Sequence, residues 1–435
     1  MSMAGFPSED FLREALEVFK RLVRIDTENP PGGESRAVHN LMGVLKAYGI
    51  DSRCLERESE RGNLIAKLEG YGEKPPLILI SHLDVAQVGE GEWKYGPFSA
   101  EEAEGMIWGR GTLDTKQLTA MQVAAFTNLK RYAGRLNRDV FLIASADEER
   151  GSSLGMEWLA GEMPELLQPA LIISEGGGFP VQFNDREFVL CAAGEKGVCR
   201  IRLSASGTGG HASSPPGDQA IYQLAHGLDE LLTYQFQKKY TPVARNFLIE
   251  TGLNPSDPSI LGSTLGALTQ HMLLNHWAVN TIDAGLTANI IPQTVEAELE
   301  LRIQPGVPRK EVTSLLMKIF YGSPLQWEIV SFHEGFESDL QSELLDIFQR
   351  NCYQYGFEGT LLPFIALGST DGRFLATKGT SIFGFSPVLP VDNFGEVLKR
   401  VHGDNERIAV SSFLYGTQVM TQTLMDLCVE NGEEI

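Results

Sequence analysis

Three short apolar runs in the N-terminal half of the chain each end in residues able to bind a metal or a proton. Leu77-Ile78-Leu79-Ile80-Ser81 runs into His82-Leu83-Asp84, and Val140-Phe141-Leu142-Ile143-Ala144 leads to Asp147-Glu148-Glu149. Leu171-Ile172-Ile173-Ser174 runs into Glu175-Gly176-Gly177. Singly, each has an ordinary explanation: a hydrogen-bonded histidine, a solvated acidic turn, the start of a loop. Together they carry a signal, because ligands of an open α/β sheet collect at the carboxyl ends of its strands. Asp114, in the glycine-rich turn Gly109-Arg110-Gly111-Thr112-Leu113-Asp114-Thr115-Lys116, is a fourth candidate whose plain reading is a helix N-cap. His402, in Val401-His402-Gly403-Asp404-Asn405-Glu406, is a fifth.

Two histidines and three carboxylates, with no cysteine, form a nitrogen/oxygen donor set that suits Zn²⁺ and, less specifically, Mn²⁺ or Co²⁺. Five ligands exceed the needs of one four-coordinate ion and serve two ions that share a carboxylate. Two cations ~3.5–4 Å apart can bind one bridging water, lower its pKa and polarise a substrate carbonyl. Such a site also needs a carboxylate outside the ligand set, to take the proton of the water and return it to the leaving group. The adjacent acids Glu148 and Glu149 are placed to divide these two jobs.

The three runs are apolar on both faces and lie between helical patterns at 8–24, 34–48, 115–131 and 152–161, as buried strands of an α/β sheet do. From Lys196 the texture becomes alternating, in 198–205 and again in 295–302, with helices near 217–233 and 308–320. That pattern predicts half-exposed strands of an open-faced sheet, in a strand-helix-strand, strand-helix-strand module of the ferredoxin-like kind. Residues 234–290 read as long and irregular. After about 336 the α/β texture returns, with a helix near 337–355, an apolar run at 381–385 and a helix over 411–427. The expected organisation is therefore one catalytic domain, 1–195 plus 336–435, with a mainly parallel central sheet and helices on both faces. An α+β domain, 196–335, interrupts it.

The chain has 435 residues, a length of roughly two to three domains. Its 43% hydrophobic and 21% charged residues exclude a disordered polyampholyte. A net charge of −21 argues against nucleic acid or an anionic membrane as the main partner. Five scattered cysteines with no CxxC pair fit reduced thiols in the cytoplasm. Residues 1–20 read as an amphipathic helix without the features of a signal peptide, and no segment has the ~18 apolar residues of a membrane span.

In order along the chain, several motifs resemble the co-catalytic zinc metallopeptidase family. They are Ser81-His82-Leu83-Asp84, Trp93…Gly96-Pro97-Phe98, Gly109 to Asp114, Asp147-Glu148-Glu149 and Ser174-Glu175. Gly209-Gly210-His211-Ala212-Ser213-Ser214-Pro215 and His402-Gly403…Asn405-Glu406 complete the set. The family holds aminoacylase, succinyl-diaminopimelate desuccinylase, acetylornithine deacetylase, carboxypeptidase G and the carboxypeptidase S-like enzymes, and 234–290 is similar to the last branch. The resemblance implies two Zn²⁺ per chain bridged by Asp114, one ion adding His82 and Glu175, the other Glu149 and His402. It implies Glu148 as general acid/base, Asp84 as the residue that orients His82, and His211 as oxyanion donor from the inserted lid and dimerisation domain. Arg373, in Gly368-Ser369-Thr370-Asp371-Gly372-Arg373, would clamp a substrate carboxylate, and Asn289 would lie near the pocket. The chain departs from the family at Thr115, where a second acid usually follows the bridging Asp and the bond between them is often cis, and at Glu300, where an Asp is common.

The expected function is metal-dependent hydrolysis of an amide bond, peptide or N-acyl, in a small substrate with a free carboxylate. Carboxypeptidase, dipeptidase and aminoacylase or deacetylase remain open at this level. Two other classes were weighed. A catalytically silent binding protein on the same fold is disfavoured by the intact Glu148 and all five ligands. A dinuclear phosphoesterase would need a phosphate cradle, for which Gly176-Gly177-Gly178 is the candidate, and no Lys or Ser/Thr follows it at P-loop spacing.

Overall fold

The computed structural model describes residues 7–72, 74–258, 262–285 and 287–430. The first residues of the expected N-terminal helix lie outside that set; the helix itself runs Glu9–Arg24, with the Ser8 hydroxyl accepting from the Phe11 N–H. The chain divides into two compact units. One comprises Met1–Ala193, Ser338–Phe364 and Thr370–Ile435; the other comprises Gly194–Glu337 and Ile365–Ser369.

In the first unit, the sheet runs in the order Ser52–Glu56, Gly62–Leu68, Val140–Ser145, Leu77–His82, Leu171–Ser174, Ser381–Gly384, Arg186–Glu195. The four central strands, Val140–Ser145 to Ser381–Gly384, are mutually parallel, and antiparallel strands flank them on both sides. Leu77–His82 and Val140–Ser145 are buried at every position, which explains their unbroken apolar sequence.

The chain goes from Leu77–His82 through the helix Lys116–Leu129 to Val140–Ser145. It then passes through Met156–Glu162 to Leu171–Ser174, on the other side of Leu77–His82. Two right-handed crossovers that move in opposite directions put their helices on opposite faces. They also make the end of Leu77–His82 the point where the winding reverses, the place at which such sheets bind ligands. Lys116–Leu129 is buried along nearly its whole length and packs against Val410–Cys428 and Glu9–Arg24. Phe19 and Phe413, from the latter two, stack with centroids 4.7 Å apart.

The second unit has a four-stranded antiparallel sheet ordered His276–Asp283, Thr294–Ile303, Gly197–Ser206, Gln326–His333. Counted along the chain, this is the order 2-3-1-4 of a ferredoxin-like sheet. Alternate residues of Thr294–Ile303 are buried, so Leu299 and Leu301 join Ile201 and Leu203 in a core closed by the helices Ala220–Leu232 and Arg309–Ile319. The stretch read as irregular, 234–290, holds two helices, Pro242–Thr251 and Thr264–Leu273, and the edge strand His276–Asp283. Thr241 and Ser263 cap those helices; the intervening turns hid the helical period. The helix expected near 337–355 begins only at Glu343, because Phe336–Glu337 is extended. No described helix is long and apolar enough to cross a membrane, and all five cysteines are free.

Candidate metal centre

Parallel pairing sets Leu77–His82 beside Leu171–Ser174, so His82 and the following Glu175 emerge at one end of the sheet. His82 Nε2 lies 3.3 Å from a Glu175 carboxylate oxygen and 3.1 Å from Asp114 Oδ1. The other oxygen of Asp114, Oδ2, lies 3.0 Å from His402 Nε2, which is 3.3 Å from Glu149 Oε1. The ligand atoms of each trio, His82-Asp114-Glu175 and Asp114-Glu149-His402, all fall within 4.8 Å of one another. Asp114 thus faces both groups, one oxygen to each. The Asp114–Thr115 peptide is cis, with threonine in place of the usual acid.

Backbone geometry presents the acids. Asp147 adopts φ +67 and opens the short 3₁₀ turn Glu148–Arg150. Its carboxylate holds the turn by accepting from Ser153 Oγ and the Leu154 N–H, each at 3.1 Å, and from Asn29 and Arg61, each at 3.2 Å. Arg61 in turn makes two 2.8 Å bonds to the buried Glu34. Asp84 meets His82 mainly through its backbone: the Asp84 carbonyl oxygen lies 2.9 Å from His82 Nδ1, its carboxylate 3.5 Å. That carboxylate is mainly engaged elsewhere, accepting the N–H groups of Glu148 and Glu149 at 3.1 Å each. One residue therefore contacts both His82 and the two acids.

The charges are unbalanced. Burial, then the charge of Glu175, pushes the Glu148 carboxyl well above its usual range. Burial raises Glu175 to about 7 against the pull of His82. Burial alone would raise Asp114, but the imidazoles of His402 and His82 hold it far below the usual range. Burial alone would lower His82, yet Glu175, Asp114 and Asp84 raise it well above the usual value. Asp114 and Glu149 lift His402 to about 10.

Two divalent cations fit these residues. Glu149 Oε1 is buried with the His402 imidazole, 3.3 Å away, as its polar neighbour, and the donors are imidazole nitrogens and carboxylate oxygens, three carboxylates facing two imidazoles. His82, Asp114 and Glu175 would hold one ion, and Asp114, Glu149 and His402 the other.

Several supporting residues carried no pattern in the sequence. Arg110 is fully buried and bonds Glu406 at 2.7 Å and the carbonyls of His402, Gly403 and Gln87 at 3.1 Å each. Its guanidinium lies over the Trp93 ring at 5.5 Å, so the Trp93…Phe98 segment serves as scaffold here. Asp371, also buried, accepts from the hydroxyls of Ser145 and Ser152. Arg373 follows it, 3.8 Å from Glu148 Oε1, which puts a cation next to the acid. The glycines weighed as a phosphate cradle have another use: a Cβ on Gly177 or Gly178 would stand 2.3 Å from backbone atoms of Gly384 or Ser386. Their lack of side chains permits close backbone packing.

In the second unit, His211 is exposed, with Nδ1 3.2 Å from the Ser213 nitrogen. The Asn289 carbonyl accepts from Ala212 at 3.1 Å, one strand away. Glu300 pairs with Arg302 at 2.5 Å.

These two trios around one aspartate define a candidate dinuclear metal centre at the strand ends of an α/β unit. The chain belongs to peptidase family M20/M25/M40, whose model matches residues 78–426. It is 28% identical over 378 residues to the human N-fatty-acyl-amino acid synthase/hydrolase PM20D1, covering 79% of this chain and 72% of that protein. It is 26% identical over 421 residues to human aminoacylase-1, covering 94% of each. Among solved structures, the M20 family metallo-carboxypeptidase Sso-CP2 of Sulfolobus solfataricus matches with a TM-score of 0.76 at 18% identity, over 94% of this chain and 98% of that one.

Proposed function

We propose that this hydrolase is a zinc-dependent amidohydrolase that cleaves the amide bond of an N-acyl amino acid or short peptide bearing a free carboxylate. The carrying observation is Asp114, whose two oxygens lie 3.1 and 3.0 Å from the imidazoles of His82 and His402, each backed by its own glutamate. Co²⁺ or Mn²⁺ are the substitutes the donor set allows.

Two bound cations would supply Lewis acidity, lowering the pKa of a water and polarising the amide carbonyl. Glu148 takes a proton from that water as its oxygen bonds to the carbonyl carbon, and delivers it to the amide nitrogen as the C–N bond breaks. The second proton of the water passes from the new carboxyl group to the amine, so the products are a carboxylate and an ammonium. His211 is the donor to the developing oxyanion. Arg373 is retained as the partner of the substrate carboxylate, through a bidentate pair. The names of the two human relatives favour N-acyl amino acids over dipeptides. The free cysteines fit a cytoplasmic setting, and the inserted unit is proposed to mediate a homodimer.

The test is zinc per chain after reconstitution and removal of excess metal, followed by hydrolysis of N-acyl amino acids and dipeptides. Close to two ions are expected, fewer in His82→Ala and His402→Ala. Glu148→Gln should keep the metal and lose turnover. A chain that retains no zinc, or a Glu148→Gln variant with full activity, overturns the reading.

A further inference from the structure

Far from the metal ligands in sequence, the second unit contains a cavity of about 520 Å³, within the size range of small-molecule sites. Buried Leu301, Gln304, Val307 and Val312 line it together with the rings of Tyr234 and Phe236. The rings meet edge to face at 5.1 Å, and Phe236 leans on Trp277 at 5.9 Å. This wall is apolar and aromatic.

Its charged residues are of mostly one sign. Lys238, Lys239 and Lys318 line the cavity, against a single acid, Glu311. Lys238 and Lys239 donate to the backbone carbonyls of Pro255 and Pro305 at 2.7 and 2.9 Å, which fixes the two ammonium groups without neutralising them. Lys318 lies over the Tyr234 ring at 6.0 Å, and none of the three makes an ion pair among the described residues. Asn275 spends its side-chain oxygen on the Gln304 N–H at 2.9 Å, leaving its amide NH₂ for a ligand. A concentration of positive charge beside half-buried aromatic rings is unusual in a chain whose net charge is −21.

We infer that this cavity binds a small amphipathic carboxylate, its apolar body against Tyr234, Phe236 and Leu301 and its carboxylate toward Lys318. A polyphosphate is a poorer match, because two of the three lysines already donate to carbonyls and Glu311 repels multiple charge. The site lies wholly in residues 234–318 and does not depend on the catalytic reading. Both a free fatty acid and an N-acyl amino acid carry the required chemistry.

The test uses the full chain with Glu148→Gln and bound metal removed, so that neither turnover nor the metal centre contributes. Titration calorimetry with decanoate, N-decanoylglycine and decan-1-ol separates the two carboxylate sources from a purely apolar ligand. Saturable binding of one or both carboxylates is expected, one per chain, with decan-1-ol weaker by roughly tenfold or more. Lys318→Glu, at an exposed position, should weaken the carboxylates by a similar factor. Leu315→Trp should block them by filling the cavity. The inference is overturned if neither carboxylate binds, if decan-1-ol binds equally well, or if binding is indifferent to Lys318→Glu. A second copy of the chain covering the cavity and excluding every probe overturns it too.

Discussion

Arg110 and Glu406, 296 positions apart, form an ion pair of 2.7 Å in which both side chains are removed from solvent. The second Glu406 oxygen accepts the Leu113 N–H at 2.7 Å and lies 3.4 Å from the Asp114 nitrogen, while Arg110 holds the His402 carbonyl. The pair therefore ties the segment of Asp114 to the segment of His402.

Breaking that pair should loosen metal before it abolishes the fold of the rest of the unit. Glu406→Gln leaves Arg110 charged and buried, a situation that costs about 3–5 kcal/mol. Metal affinity should drop by roughly 10–100-fold, the scale of losses when the supports of metal ligands are removed. Calorimetric zinc titration measures this directly. Arg110→Met combined with Glu406→Leu should recover thermal stability but not affinity, because the Leu113 N–H and the His402 carbonyl would still lack their partners. Full recovery of affinity would show that the pair does not position the ligands.

Asp84→Asn gives a different signature. The amide keeps one acceptor oxygen, so one of the Glu148 and Glu149 N–H groups loses its partner, while the backbone carbonyl that meets His82 Nδ1 is unchanged. The carboxylate is held below its usual pKa, burial being outweighed by His82, the Asn29 amide and the Glu148 N–H. The prediction is a kcat about 10–100-fold lower with zinc content near that of the parent. A loss of His82-bound metal alone, with kcat per bound ion unchanged, would contradict it.

Gly155 tests the acidic turn from behind. A Cβ there would sit 1.8 Å from the Ala146 carbonyl oxygen, so Gly155→Ala must displace the segment leading into Asp147, Glu148 and Glu149. Activity and metal retention should both fall, with a destabilisation of about 1–3 kcal/mol typical of overpacking. Gly161→Ala, which meets nothing within 4 Å, is the control and should be silent or slightly stabilising. Equal behaviour of the two variants would refute the argument.

The sequence reading and the structure agree where period and burial coincide. Leu171–Ser174 and Val140–Ser145 were visible because strands buried on both faces are uniformly apolar. The alternation in Thr294–Ile303 exposed the open-faced sheet for the opposite reason. The five ligand candidates were legible because each follows such a strand or sits in a glycine-marked turn. Arg110, Arg61, Asn29 and Asp371 were not. Each is a lone polar residue whose partner lies far away in the chain, Asp371 with Ser145 and Asn29 with Asp84, and no local period records a contact of that kind. The helices Pro242–Thr251 and Thr264–Leu273 were hidden because each is only 10 residues long and turns break the pattern on both sides.

Lys196 supplies a prediction in pH. It is buried in the second unit, with Nζ 2.5 Å from the Leu274 carbonyl and 3.1 Å from His276 Nδ1, and it makes no carboxylate ion pair among the described residues. Burial, and then the charge of Arg302, lower it to about 7. In the unfolded chain its pKa returns to roughly 10.4. Between about 7 and that value the unfolded state binds the extra proton, so stability rises with pH across the window and levels off above it. Below 7 both states are protonated and the full cost of burying the charge remains. Lys116, lowered to about 7 by burial, acts in the same direction, so the comparison must isolate Lys196. Lys196→Met should lower the slope of unfolding free energy against pH between 7 and 10, a window in which Cys352 and Cys428, pushed up to about 12 by burial, act in the opposite direction. Parallel pH profiles for Lys196→Met and the parent would mean that Lys196 stays charged in the folded protein.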